Sequence, residues 1–104
     1  MKPVFSLLKT NHFDEWFQKQ DAETQARVQM RLDRIALDGH FGVVKFFEGL
    51  IELKWKSGIR IYMARIEHKL IIILVGGTKH GQSKDIKKAK KLLEEIKTHG
   101  FSSP

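Results

Sequence analysis

Two runs of alternating residues separated by a three-residue loop constrain this chain more than any other feature. Ile51, Leu53 and Trp55 alternate with Glu52 and Lys54, and Ile59, Ile61 and Met63 alternate with Arg60, Tyr62 and Ala64. A period of two marks strands with one apolar face. If Lys56-Ser57-Gly58 closes a hairpin, with glycine in the left-handed position, Trp55 meets Ile59, Leu53 meets Ile61 and Ile51 meets Met63. The same register sets Lys54 against Arg60 and Glu52 against Tyr62 on the other face. A slip of one residue scrambles both faces, so a single pairing is predicted.

The elements on either side follow from pattern and caps. Residues 4–8 read as an opening strand. Phe13, Trp16 and Phe17 lie at i, i+3 and i+4 on a short helix capped by Thr10 or Asn11. Asp21 caps a second helix with the stripe Val28, Leu32, Ile35 and Ala36, ended by Gly39. Residues 70–75 are apolar without alternation, as in a strand covered on both faces in the middle of a sheet. Residues 76–82 read as a loop, with a tight reversal at Gly76-Gly77. Ser83 is the expected cap of a last helix, whose stripe is Ile86, Ala89, Leu92, Leu93 and Ile96 and whose end is Gly100. The expected class is α+β: a β-α-α-β-β-β-α domain over residues 1–104, its antiparallel sheet packed by a helical hairpin and a C-terminal helix, with residues 100–104 as a frayed tail.

Composition narrows the partners. Nineteen Lys and Arg against twelve Asp and Glu give a net charge of +7 in 104 residues, which points to a polyanion: nucleic acid, an acidic protein or, more weakly, an anionic membrane. No cysteine is present, so disulfides and thiolate metal sites are excluded, and a reducing cytoplasmic setting fits. His12, His40, His68, His80 and His99 are scattered without metal-ligand spacing, so no metal is expected. The N-terminus has no signal-like core, and the apolar run at 70–75 falls far short of the roughly 20 residues that span a bilayer.

The order and spacing of short segments carry a resemblance. Phe13-x-x-Trp16, Arg31-Leu32, Gly42-x-x-Lys45, Glu52-Leu53-Lys54, Gly58-x-Arg60-x-Tyr62 and Gly76-Gly77-x-Lys79-x-x-Gln82-x-x-Asp85-Ile86-x-x-Ala89 together resemble the RelE/ParE toxin superfamily. Within it they are similar to the HigB-like, phage-associated (Gp49-like) "addiction module killer" branch. The chain departs from that branch at Val43, where an acid is usual, at Lys54, where arginine is usual, at Thr78, again in place of an acid, and in a hairpin about two residues shorter. Lysine lacks the planar fork that binds phosphate in two places.

The resemblance implies the toxin of a type II toxin–antitoxin system, a ribosome-dependent endoribonuclease that inhibits translation by cutting mRNA. The substrate's own 2′-hydroxyl is the nucleophile, with no metal or small-molecule cofactor. Its partners would be the ribosome, mRNA and a helix-turn-helix, HigA-like antitoxin, with no membrane. Such chemistry needs a base near the 2′-oxygen, cations on the phosphorane and a donor for the 5′-oxygen. Arg60 is the candidate phosphate clamp, since guanidinium stays charged and forked. Lys54 or Lys79 serves as base only with a depressed pKa. Tyr62 can donate a proton or stack on a base, and His80 can act as acid or base beside a helix N-terminus. Lys45 and the basic surface of the last helix, Lys84, Lys87, Lys88 and Lys91, are candidates for RNA contact.

Plainer readings stand beside these. Alternating polar residues also mark a solvated hairpin face, and a lysine-rich helix a solvated helix. Phe13, Trp16 and Phe17 have the spacing of core rather than of a base-stacking platform. The rival functions on the same scaffold are a ParE-like toxin acting on DNA gyrase and an inactive module that only binds RNA or antitoxin.

Overall fold

A computed structural model describes residues 3–100. Its centre is the hairpin of β3 (Leu50–Lys54) and β4 (Ile59–Glu67), in the expected register: Ile51 opposite Met63, Glu52 opposite Tyr62, Leu53 opposite Ile61 and Lys54 opposite Arg60. Gly58 closes the loop at φ 103°, its N–H donating to the Trp55 carbonyl at 3.0 Å. Strand β5 (Leu70–Thr78) pairs antiparallel with β4, and residues 71–75 are buried on both faces.

Two strands complete the sheet, in the order β1-β5-β4-β3-β2. Strand β1 spans Ser6–Lys9, two residues later than expected at its start, and lies parallel to β5, so the sheet is mixed rather than wholly antiparallel. The residues before it are held elsewhere: the Val4 and Phe5 amides both donate to the Ala36 carbonyl near the end of α2. Strand β2 (Val44–Phe47) is an element that the sequence reading lacks. It returns to β3 through a tight turn at Glu48 and Gly49, with φ of 50° and 81°. Two consecutive positive φ values give the twist that suits a two-residue hairpin.

The helices cover both faces. Helix α1 (Asn11–Gln18) is capped by Thr10, whose hydroxyl accepts from the Phe13 amide and donates to the Leu74 carbonyl at 2.6 Å. Helix α2 (Ala22–Asp38) is capped by Asp21 and ended by Gly39 at φ 71°. Phe13, Val28, Leu32 and Ile35 from these helices form one core with Ile51, Leu53, Ile61, Met63, Ile71 and Ile73. Trp16 and Phe17 pack against it, which is the core reading of the aromatic trio.

Helix α3 (Gln82–His99) covers the opposite face, where Ala89 and Leu93 meet Leu50, Tyr62, Ala64, Ile72 and Leu74. Ser83 is not its cap. A 3₁₀ turn at Lys79–Gly81 runs straight into the helix, Gly81 takes the cap position without a side-chain bond, and Gly100 closes the far end. Residues 101–104 of the expected tail lie outside the described residues. Gly76 and Gly77 belong to β5 and make no reversal. Close approach is what requires them: a Cβ on Gly76 would stand 2.4 Å from the Trp16 ring, and one on Gly77 2.0 Å from Asp85 Oδ2. Among the described residues, no helix is long and apolar enough to cross a membrane.

Candidate active site

On the α3 face, strand pairing sets the polar residues in columns. Lys45, Glu52, Tyr62 and Val75 lie side by side across four strands, and Lys54, Arg60 and Gly77 form the next column towards the hairpin loop. Lys79 enters from above. Its amide donates to the Gly58 carbonyl at 2.7 Å, and its aliphatic stem lies across that glycine, 3.7 Å from where a side chain there would begin. Lys54, Arg60 and Lys79 are therefore gathered around the loop end of one hairpin, with His80 exposed on the following residue.

Arg60 is partly committed to the fold. Its Nη1 donates to the Ile59 carbonyl at 3.0 Å and the Trp55 carbonyl at 3.2 Å, while Nε is buried without a partner. Among the described residues, the remaining nitrogen, Nη2, makes no hydrogen bond. Lys54 is also held from behind: the Arg31 guanidinium donates to the carbonyls of Phe41, Val43 and Lys54 and stacks 4.3 Å from the centroid of the Trp55 ring. Burial lowers the Arg31 pKa, yet three carbonyl dipoles face its charge.

Tyr62 needs correction as a surface group. It is fully buried beneath α3, so in this arrangement it can neither stack on a base nor meet a substrate oxygen. Burial first, and the neighbouring Glu52 carboxylate second, push its phenol far above the ordinary tyrosine value, and the proton stays on oxygen. Glu52, opposite it, is 0% exposed. Its Oε2 accepts from Gln82 Nε2 at 2.6 Å, and Lys54 Nζ stands 3.9 Å from Oε1. Sequence alone set Glu52 on a polar face without assigning it a part.

The remaining candidates lie further out. Lys45 is exposed on the edge strand β2, its ammonium 5.5 Å from the centroid of the Phe47 ring. Lys84, Lys87, Lys88 and Lys91 line a shallow groove with His12 of α1, Leu92 and Glu95, and the hairpin cations are not part of its walls. Lys90 is drawn instead to Glu48 of the β2–β3 turn. Asp85, over Gly77, has its pKa raised by burial, an effect that Lys84 and Lys88 oppose. Among the described residues, no three His, Asp or Glu side chains gather as a metal site.

The family described as phage derived protein Gp49-like matches residues 15–98. A protein of uncharacterised function from Haemophilus influenzae is 36% identical over 97 residues, spanning 89% of this chain and 97% of the relative. Among solved structures, a mutant of the E. coli toxin RelE in the free state superposes with a TM-score of 0.71 at 15% identity, over 86% of this chain and 97% of that one. The Mycobacterium tuberculosis toxin–antitoxin complex RelBE2 gives 0.54 at 17% identity, over 72% and 98%.

Proposed function

The chain belongs to the phage-derived Gp49-like family and has the fold of the RelE toxins, and from that premise we propose that it is the toxin of a toxin–antitoxin pair that cuts mRNA on the ribosome. The observation that carries this reading is the placement of Lys54, Arg60 and Lys79 around the loop end of the β3–β4 hairpin, Lys54 opposite Arg60 and the Lys79 stem across Gly58. Three positive groups at one place suit a phosphorane, whose charge grows as the 2′-oxygen attacks phosphorus and the 5′-oxygen leaves.

In this mechanism the free edge of Arg60 holds the non-bridging oxygens. Lys54, whose backbone is fixed by Arg31, stabilises the 2′-oxyanion as an ammonium, the form that the neighbouring Glu52 carboxylate favours. His80 takes the 2′-hydroxyl proton and Lys79 gives one to the departing 5′-oxygen, leaving a cyclic phosphate on one fragment and a 5′-hydroxyl on the other. Tyr62 takes no part in proton transfer and serves as packing beneath the site. Lys45 and the lysine groove of α3 hold the RNA backbone on either side, a sequence-independent contact that weakens as salt rises. A cytoplasmic site of action and neutralisation by a helix-turn-helix antitoxin follow from this reading.

Induced expression followed by mapping of RNA 5′ ends tests it, with a supercoiling assay in parallel. New 5′-hydroxyl ends within translated messages are the expected result. Intact messages with trapped gyrase would reject cleavage in favour of gyrase poisoning. Growth arrest with neither effect would favour a module that only binds.

A further inference from the structure

Among the described residues, three polar atoms at the middle of the candidate site are buried without a hydrogen bond of good geometry, Glu52 Oε1, Tyr62 Oη and Arg60 Nε, although the Tyr62 hydroxyl neighbours the Glu52 carboxylate. Buried polar groups are nearly always paired, and exceptions cluster where function imposes them. Glu52 and Arg60 are costlier than Tyr62, because an unsatisfied atom of a charged group is penalised more than a neutral one, and of the two Glu52 is the one with no exposure. Its neighbours on this face include Leu50, Ala64 and Ile72, so packing alone favours an uncharged residue. A glutamine would fill the same space and could still accept from Gln82.

The carboxylate does two things that a neutral group does less well. It stands 3.9 Å from the Lys54 ammonium, whose flexible side chain is 36% exposed. It also receives Gln82 Nε2 at 2.6 Å, which ties the first residue of α3, and with it the Lys79–Gly81 turn, to the strand that carries Lys54. One buried group thus joins the two segments that carry Lys54 and Lys79.

We propose that Glu52 is a positioning residue, which holds the Lys54 ammonium and the Lys79–Gly81 turn in reacting geometry at the expense of fold stability. It touches no substrate and acts through Lys54 and Gln82. The inference rests on the nuclease reading. A displacement of about 1 Å in such an arrangement costs on the order of a hundredfold in rate, so Glu52→Gln should lower the cleavage rate roughly tenfold to a hundredfold.

The test is a double-mutant cycle of Glu52→Gln and Lys54→Met in the full chain, reading Tm and cleavage of a message on programmed ribosomes. Glu52→Gln should melt no lower than wild type and lose maximal rate at an unchanged half-saturating ribosome concentration. Lys54→Met should melt lower, because it strands the buried carboxylate, and the double mutant should regain Tm. In the Lys54→Met background, Glu52→Gln should slow cleavage far less than it does alone, because a glutamine there can still accept from Gln82. Active wild type with an equally fast Glu52→Gln overturns the positioning role alone. Parallel loss of Tm and rate in Glu52→Gln overturns it in favour of a structural role. Wild type inactive on ribosome-bound RNA overturns the nuclease reading, and the positioning role with it.

Discussion

Replacing Arg31 by methionine removes the donors that join α2 to the start of β2 and the end of β3 while keeping most of the side-chain volume. The guanidinium bonds three carbonyls, those of Phe41, Val43 and Lys54, and lies over Trp55. A hydrogen bond to a charged group contributes about 1.5–3 kcal/mol net, and a cation over an aromatic face about 0.5–2 kcal/mol. The Val43 carbonyl lies in an exposed stretch and can turn to water, and burying the guanidinium itself carries a desolvation cost. With those offsets, about 3–5 kcal/mol of the loss should remain, against a total stability of roughly 5–15 kcal/mol for a domain. Urea unfolding followed by Trp fluorescence, reading Trp16 and Trp55, measures it. Arg31→Lys, which keeps the charge but not the three-way fork, should recover less than half. An Arg31→Met protein within about 1 kcal/mol of wild type, at an unchanged denaturant slope, would refute the clasp.

Gly77→Ala should lose at least about 2 kcal/mol, since the new methyl meets Asp85 Oδ2 at 2.0 Å, and adding Asp85→Ala should restore much of it; thermal melts of the two single mutants and the double mutant read the coupling. Thr10→Val keeps shape but removes both hydroxyl bonds, so equilibrium unfolding should show a loss of about 1.5–3 kcal/mol. Asp85 has its folded-state pKa raised by burial, so the native state holds that proton more tightly than the unfolded chain. Its ionisation therefore costs stability above the raised value, and the cost fades as pH falls through the window down to the ordinary aspartate value. Asp85→Asn should accordingly melt higher than wild type at neutral pH, with the gap closing towards pH 4; a constant gap would show that burial is not the cause.

The parts of the fold that could be read from sequence are those where one face is buried and a turn fixes the register. The β3–β4 pairing follows from alternation pinned by Gly58, and residues 70–75 from their unbroken apolar run. Strand β2 escapes because an edge strand need not alternate: Val44-Lys45-Phe46-Phe47 is exposed at its two middle positions, Phe46 by 65%. Its signal was Gly49, one residue after Glu48 in a left-handed turn. The parallel pairing of β1 with β5 joins residues 64 apart and leaves no local mark.

The candidate site divides in the same way. Lys54 opposite Arg60 is a consequence of register and was legible. The burial of Tyr62 and Glu52 depends on where α3 lies, which no pattern within β3 or β4 encodes. Arg60-x-Tyr62-x-Ala64 reads as a solvated face until a helix covers it, and Ala64 was the one residue in that series that hinted at a cover.

The most direct test of the account is cleavage of a defined message on purified programmed ribosomes by wild type and by Arg60→Ala, with circular dichroism to verify that both are folded. Wild type should leave 5′-hydroxyl ends, and Arg60→Ala should lose at least about a hundredfold in rate, in line with removing a group that stabilises transition-state charge. A folded Arg60→Ala protein that cuts as fast as wild type would contradict it.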